Sequence, residues 1–341
     1  MKNPCVAVVI LNWNGREFLE KFLPGVIEHS LDDAEVIIAD NASEDDSVAF
    51  LQEHFPEIRI IRNEINGGFS KGYNDALRHV QADYYILLNS DIEVSRGWIK
   101  PVIDLMESDE RIGACQPKLR AYHDKAKFEY AGAAGGFIDK YGYPFCRGRL
   151  FQNLEEDHGQ YDDVQEIFWA TGACMFVRAS LYDELGGLDE DFFAHMEEID
   201  FCWRLKNNDY KVMYCPESVI YHVGGGTLPK SSSRKTYLNF RNNTYLMYKN
   251  LPREKMIRVF LVRYFLDAVA ALKFLLEGGV GDFRAVIHAH ASFWKNYSQL
   301  KNKRKKYFHR AVSQIYKGNI VSEYFLKGKK KFSDLDSHNF S

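Results

Sequence analysis

Up to residue 91 the chain alternates unbroken apolar runs of strand length with stretches whose apolar positions recur at helical spacing. Val6 to Leu11 is the first run, and after Asn12-Trp13-Asn14-Gly15 the positions Phe18, Leu19, Phe22, Leu23, Val26 and Ile27 mark one face of a helix. Val36 to Ala39 predicts a second strand ending at Asp40. Ser43 followed by Asp46 has the spacing of a capped helix start, with the helix continuing to Phe55. Arg59 to Arg62 predicts a third strand. Asn66-Gly67-Gly68 then leads into a helix over 70–81, and Tyr84 to Leu88 predicts a fourth strand that runs out into Asn89-Ser90-Asp91. Strands alternating with helices predict an α/β fold with a Rossmann-like, mostly parallel sheet covered by helices on both faces. Such sheets bind ligands beyond the carboxyl ends of their strands. Asn12, Asp40 and Asp91 all stand at such ends, so side chains far apart in sequence can meet in one crevice.

Beyond residue 230 the pattern becomes helical, which predicts a body over 1–230 and a basic, mainly helical C-terminal extension over 231–341. Met256 to Glu277 is strongly apolar but carries Arg258, Arg263, Asp267, Lys273 and Glu277, all within one half of the helical wheel. Arg263 with Asp267 and Lys273 with Glu277 are i,i+4 pairs. The uninterrupted apolar length is well short of the roughly 20 residues that span a bilayer. A wide apolar face of this kind either packs in a helical domain or lies on a membrane.

Charge changes the picture of this extension. Residues 1–230 carry a net charge of −18 and residues 231–341 one of +15, hidden within a total of −3. With the runs Lys301-Asn302-Lys303-Arg304-Lys305-Lys306 and Lys329-Lys330-Lys331, this makes an anionic membrane surface a candidate partner, against the plainer reading of a solvated basic helix. No nucleic-acid-binding motif accompanies the basic runs, so nucleic acid is not an expected partner. The six cysteines show no C-x-x-C pair and read as reduced core thiols. The opening apolar run is one strand long and has no small-residue cleavage pattern. A cytoplasmic location is therefore expected, with a peripheral position on the inner face of the membrane as a candidate.

No G-x-G-x-x-G follows the first strand and no G-x-x-x-x-G-K-[ST] occurs, which removes the usual grounds for a dinucleotide oxidoreductase or a P-loop phosphotransferase. Clustered oxygen ligands at a strand end, as in Asn89-Ser90-Asp91, instead suit a hard divalent cation, Mg²⁺ or Mn²⁺, bridging a diphosphate. Further carboxylates follow in Glu197-Glu198-Ile199-Asp200, and His222 closes a later apolar stretch.

In this order and spacing the motifs resemble glycosyltransferase family 2, enzymes of GT-A fold that include rhamnosyltransferase-like members. The resemblance covers residues 5–250 and rests on Val8 to Gly15, Asp40-Asn41-Ala42-Ser43, Asn66-Gly67-Gly68-Phe69, Leu88-Asn89-Ser90-Asp91, Gly172-Ala173-Cys174-Met175, Glu197 through Arg204, and His222. It implies a nucleotide-sugar donor, with Asp40 bonding the base, Asn12, Asn14 and Asn41 lining the same pocket, and Asn66, Gly68 and Asn74 passing beside the nucleotide. Asn89 and Asp91 take the positions of the Asp-x-Asp metal motif. Asp91 is then a direct ligand, Asn89 contacts ribose or a metal-bound water, and His222 either completes the metal shell or is structural. One acid of the Glu197-Glu198 pair acts as general base on an acceptor hydroxyl, Glu198 being favoured and Glu197 its competitor. Asp200 and Arg204 are either a structural pair or contacts to phosphate or acceptor. Trp169, Thr171 and Gly172 shape the donor-sugar or acceptor pocket, although Trp169 equally suits a core. The resemblance thus implies inverting transfer to a lipid-linked or polysaccharide acceptor. The rivals are a sugar nucleotidyltransferase and a catalytically silent sugar-nucleotide or anionic-membrane binding module.

Overall fold

The computed structural model describes residues 4–224 and 232–341. The boundary expected at residue 230 lies outside the described residues, as do Gly225 and Gly226 of the glycine run after His222. In chain order the elements are β1 (Val6–Asn12), α1 (Arg16–Ser30), β2 (Glu35–Asp40), α2 (Ser47–His54), β3 (Arg59–Arg62), α3 (Gly68–Leu77), β4 (Tyr84–Asn89), β5 (Ile92–Val94), α4 (Lys100–Ser108), β6 (Ile112–Ala121), β7 (Gly136–Asp139), β8 (Pro144–Cys146), β9 (Arg149–Leu150), β10 (Asn153–Leu154), β11 (Gln165–Ile167), β12 (Cys174–Arg178), α5 (Ala179–Glu184), α6 (Glu197–Asn207), β13 (Lys211–His222), α7 (Ser233–Asn250), α8 (Arg253–Leu276), α9 (Val280–Lys295), α10 (Tyr297–Arg304), β14 (Ile315–Tyr316) and α11 (Ile320–Phe325).

The main sheet has nine strands in the order β11-β13-β6-β12-β4-β1-β2-β3, with β5 on β13. β3, β2, β1 and β4 are mutually parallel, and β12 lies antiparallel between β4 and β6. Strand residues divide alternately between two cores, because side chains of a strand point to opposite faces in turn. Ala7, Val9, Ile37, Ala39, Tyr85 and Leu87 pack with α3 and α6, while Val8, Ile10, Ile38, Ile86 and Leu88 pack with α1, α2 and α4. Burial on both faces is why these strands read as continuous apolar runs.

A smaller sheet, β10-β9-β8-β7-β14, flanks the main one. Its last strand comes from the far end of the chain, with Ile315 in register with Ile138, and buried Tyr316, Ile320, Tyr324 and Leu335 join the same core. The C-terminal segment is therefore woven into the body of the molecule. The basic runs are partly consumed by this packing. Lys303 pairs with Asp189 and Asp191, Arg304 donates to the Leu251 and Tyr248 carbonyls, and Lys329 pairs with Glu323.

Several local expectations need correction. α2 starts at Ser47, because the Ser43 hydroxyl accepts from Asn12 Nδ2 and from the Asn14 amide instead of capping the helix. α3 spans Gly68–Leu77 and ends short of Gln81, its turn closing through i→i−3 bonds at His79 and Val80. Five cysteines are buried and free, but Cys5 is exposed. Both i,i+4 pairs of α8 form, Arg263–Asp267 at 3.2 Å and Lys273–Glu277 at 3.7 Å. The first of them faces inward. Among the described residues no helix is long and apolar enough to cross a membrane.

Candidate active site

Strand register builds the crevice. Asn12 on β1 is opposite Asp40 on β2, and Leu11 is opposite Asn89 on β4, so the carboxyl ends of three parallel strands bring their polar residues to one edge. Asn12 and Asp40 are almost wholly buried, linked by Asn12 Nδ2 to Asp40 Oδ1 at 3.4 Å, while Asp40 Oδ2 accepts the Ser43 amide at 3.2 Å. Asn14 has a positive φ of 50° and its Oδ1 accepts the Glu44 amide at 2.7 Å. Gly15 is required here: a Cβ would lie 2.5 Å from Asn12 Oδ1, an acceptor that is buried without a hydrogen-bond partner. Asn41 donates to Asn66 Oδ1 at 3.0 Å and to the Gly68 carbonyl at 3.1 Å, tying the second strand end to the start of α3. Gly68 has φ +79° and passes so close to Phe193 that a Cβ would meet its carbonyl oxygen at 2.5 Å. A rim of amide groups beside the N-terminus of a helix is suited to a polar, anionic ligand, with the Asp40 carboxylate able to accept from the ligand's donor groups.

Asp91 and His222 are brought together by the short strand β5. Ile92 pairs with His222, which places His222 Nε2 3.2 Å from Asp91 Oδ1. On its other side His222 Nδ1 lies 3.3 Å from Glu129 Oε1. All three residues are buried. Burial opposes charging of the imidazole, but Glu129 and Asp91 outweigh it and push the His222 pKa up to about 10. Burial likewise works against the Asp91 carboxylate, and His222 overcomes it to hold the group below its usual value. Among the described residues no group of three or more His, Cys, Asp or Glu is arranged to enclose a metal ion. A buried carboxylate–imidazole pair at the end of β4 has donor types that suit a divalent cation once the imidazole gives up its proton, and Glu129 stands where a carboxylate would orient the ring.

The acids at the start of α6 follow a strained turn. Phe193, His195 and Met196 have φ of 64°, 71° and 74°, a backbone region that costs non-glycine residues energy and concentrates at functional sites. Asn242 on α7 holds this turn, its Nδ2 donating to the Phe192, Ala194 and His195 carbonyls at 2.7–2.9 Å, and Arg241 donates to Asp191 and Phe192. Glu197 is buried and Glu198 is half-buried, and each has one enclosed carboxylate oxygen without a hydrogen-bond partner. Burial pushes the Glu198 pKa up to about 7, despite backbone amides at the helix start that favour its ionised form. Burial and the charge of Glu198 push Glu197 well above the normal range. Glu198 Cβ is 3.9 Å from the position of a Cβ on Gly172, and the next carbonyl, that of Ala173, accepts the Asn89 amide at 3.0 Å. Glu198 and the end of β4 therefore flank the same short segment, 172–173.

The sequence model for Glycosyl transferase family 2 matches residues 7–186, more than half of the chain. The chain belongs to that family. It is 24% identical over 230 residues to N-acetylglucosaminyl-diphospho-decaprenol L-rhamnosyltransferase of Mycobacterium tuberculosis, covering 63% of this chain and 75% of the relative. GalNAc-T7 with UDP, GalNAc and Mn²⁺ superposes with a TM-score of 0.57 at 15% identity, over 74% of this chain and 49% of that one. S. aureus TarS 1–349 in complex with UDP-GlcNAc gives 0.54 at 15% identity, over 90% and 93%. These likenesses establish the GT-A fold, and the family establishes that the protein is a glycosyltransferase.

Within this family 2 glycosyltransferase several expected pocket residues are spent on structure. Asn74 uses its amide to bind the Leu188 backbone, Tyr182 and Glu190, so it clasps the segment before α6. Trp169 is buried, donates to the Phe137 carbonyl at 2.9 Å and lies flat on Gly136, which makes it a core residue. Thr171 is enclosed, its amide bound to Gln116. Asp200 and Arg204 are 0% and 1% exposed, which decides for a structural pair. Asp200 takes Arg204, Asn250 and Lys249, and Arg204 also donates to the Leu185 and Gly187 carbonyls. Two residues had no recognisable role in sequence and acquire one here. Asn242 shapes the turn before the acids, and Glu129 backs His222.

Proposed function

We propose that this glycosyltransferase acts with inversion, moving a sugar from a nucleotide-sugar donor to a hydroxyl of a lipid-linked or polysaccharide acceptor at the cytoplasmic side of a membrane. The observation that carries the reading is a carboxyl group poised near neutrality, Glu198, set beside Gly172 on the segment that also anchors Asn89. Glu198 takes the proton of the acceptor hydroxyl, that oxygen bonds to the anomeric carbon, and the bond from that carbon to the diphosphate breaks on the opposite face. Displacement in one step inverts the configuration. Asn12, Asn14, Asp40, Asn41 and Asn66 hold the nucleotide end, and Asn89 reaches the ribose or a water beside the cation. Asp91 and His222 would hold Mg²⁺ or Mn²⁺, which when bound offsets the charge developing on the diphosphate. The lipid-linked acceptor is supported by the diphospho-decaprenol acceptor in the name of the mycobacterial relative, and the divalent ion by the Mn²⁺ of the GalNAc-T7 structure.

A thermal-shift screen of nucleotide sugars with and without Mn²⁺ tests the donor side, since a ligand that binds the native state raises the melting temperature. Stabilisation by one nucleotide class only when Mn²⁺ is present is the expected outcome, and uniform lack of response contradicts the reading. A second expectation concerns Glu129. Glu129→Ala should weaken Mn²⁺ binding by about 10–100-fold, read by calorimetric titration in the presence of a nucleoside diphosphate. Unchanged affinity removes Glu129 from the metal site.

A further inference from the structure

α8 is an amphipathic helix turned inside out. Its inward positions are Val259, Arg263, Asp267 and Ala271, and the polar pair among them is held by ionic and ring contacts. Arg263 pairs with Asp267, stacks on the Tyr143 ring at 3.8 Å and donates to the Tyr141 carbonyl, while Asp267 also meets His290 at 3.3 Å. The outward positions are apolar. Ile257 is 76% exposed, Leu261 69%, Phe265 68%, Leu272 56% and Leu276 88%, a continuous stripe at helical spacing. α9 packs along α8 through Phe260–Phe293 and Tyr264–His290, and one turn beyond His290 it presents Trp294, 63% exposed. Scattered exposed apolar residues are ordinary, but a contiguous stripe of large ones marks an interaction surface.

We infer that the outward face of α8, with Trp294, docks this enzyme in the plane of an anionic lipid bilayer. Charge distinguishes lipid from other occupants. Arg258 borders the stripe on α8 and exposed Arg284 and Lys295 lie on α9, within a segment, 231–341, of net charge +15. The carboxylates of α8 are the buried Asp267, Glu254 in the first turn and Glu277 just past the last, paired with Lys273, so the centre of the face carries no negative charge. A self-contact between two copies would set these cations against one another, with exposed carboxylates only at the two ends of α8. In-plane burial of an apolar stripe flanked by Lys and Arg, with an aromatic side chain at the interface, satisfies both kinds of group at once. This inference rests on the shape and charge of α8 and α9 and stands apart from the identity of the acceptor.

The test is flotation of the full chain with vesicles of phosphatidylcholine, with and without phosphatidylglycerol, alongside its sedimentation without lipid. The parent protein should float with the anionic vesicles and release with salt, and Leu261→Ser/Phe265→Ser/Leu272→Ser should lower partitioning by roughly ten-fold or more at unchanged melting temperature. The parent's tryptophan emission should shift to shorter wavelength on binding, less so in Trp294→Phe, a readout that serves even if the triple variant fails to fold. The inference is overturned if the parent stays with neither vesicle, if the triple variant partitions like the parent, or if the parent is a dimer without lipid that the triple variant dissociates. Donor binding measured in lipid-free buffer reads the proposed catalytic function separately.

Discussion

Glu198→Gln is expected to reduce sugar transfer by about 10²–10⁴-fold while leaving donor binding intact, because it removes a proton acceptor and keeps the shape of the side chain. The parent's rate should rise with pH and level off above about 7, the value to which burial pushes Glu198. Burial and the charge of Glu198 push the Glu197 pKa well above its ordinary range, which disfavours it as the proton acceptor, so Glu197→Gln should cost far less. If Glu197→Gln abolishes transfer and Glu198→Gln spares it, the two roles are exchanged. A raised carboxyl pKa also has a sign in stability. The folded state holds the Glu198 proton more tightly than the unfolded chain, so this group's contribution is full below the unfolded value near 4.5 and is lost as pH rises through about 7.

Lys249→Met is expected to lower the unfolding free energy by about 3–5 kcal/mol, the cost of removing the cation buried between two carboxylates. Lys249 is 0% exposed and joins Asp189 to Asp200, the latter at 2.8 Å. Lys303 reaches the same Asp189 from α10, and Arg204 and Asn250 complete the set around Asp200. This network ties α6, which carries Glu197 and Glu198, to α7 and α10. Burial alone would raise the Asp189 pKa, but Lys249 and Lys303 hold it well below the usual carboxylate range. Its contribution is therefore present at neutral pH and is lost as pH falls below the unfolded carboxylate value. Urea unfolding of the two proteins measures the difference, and a change of less than about 1 kcal/mol would place the ion pairs among those that contribute little.

The parallel half of the main sheet was legible in the sequence because its strands are buried on both faces and so appear as unbroken apolar runs. Their polar ends at Asn12, Asp40 and Asn89 were legible for the same reason. The smaller sheet was not: its strands span two to four residues, too short for a period, and one of them pairs across most of the chain. The meeting of Asp91 with His222 depends on β5, three residues with no signature of their own, and Glu129 is drawn in by irregular backbone contacts, its bond to Leu119 and the Arg120–Phe128 bridge beside it. Asp200 and Arg204 show the limit of spacing. Their i,i+4 separation suits a structural pair or a binding pair equally, and only enclosure decides. α8 shows another limit, since a helical wheel gives two faces without saying which of them turns inward, and here the charged pair does.

The most direct test is calorimetric titration of the donor identified by thermal shift into the parent protein and into Asp91→Ala, each with Mn²⁺ and with a chelator. Tight binding by the parent only with Mn²⁺, and its loss in Asp91→Ala, is the predicted result. Equal binding in chelator, or by the variant, would contradict a cation-centred donor site at the end of β4.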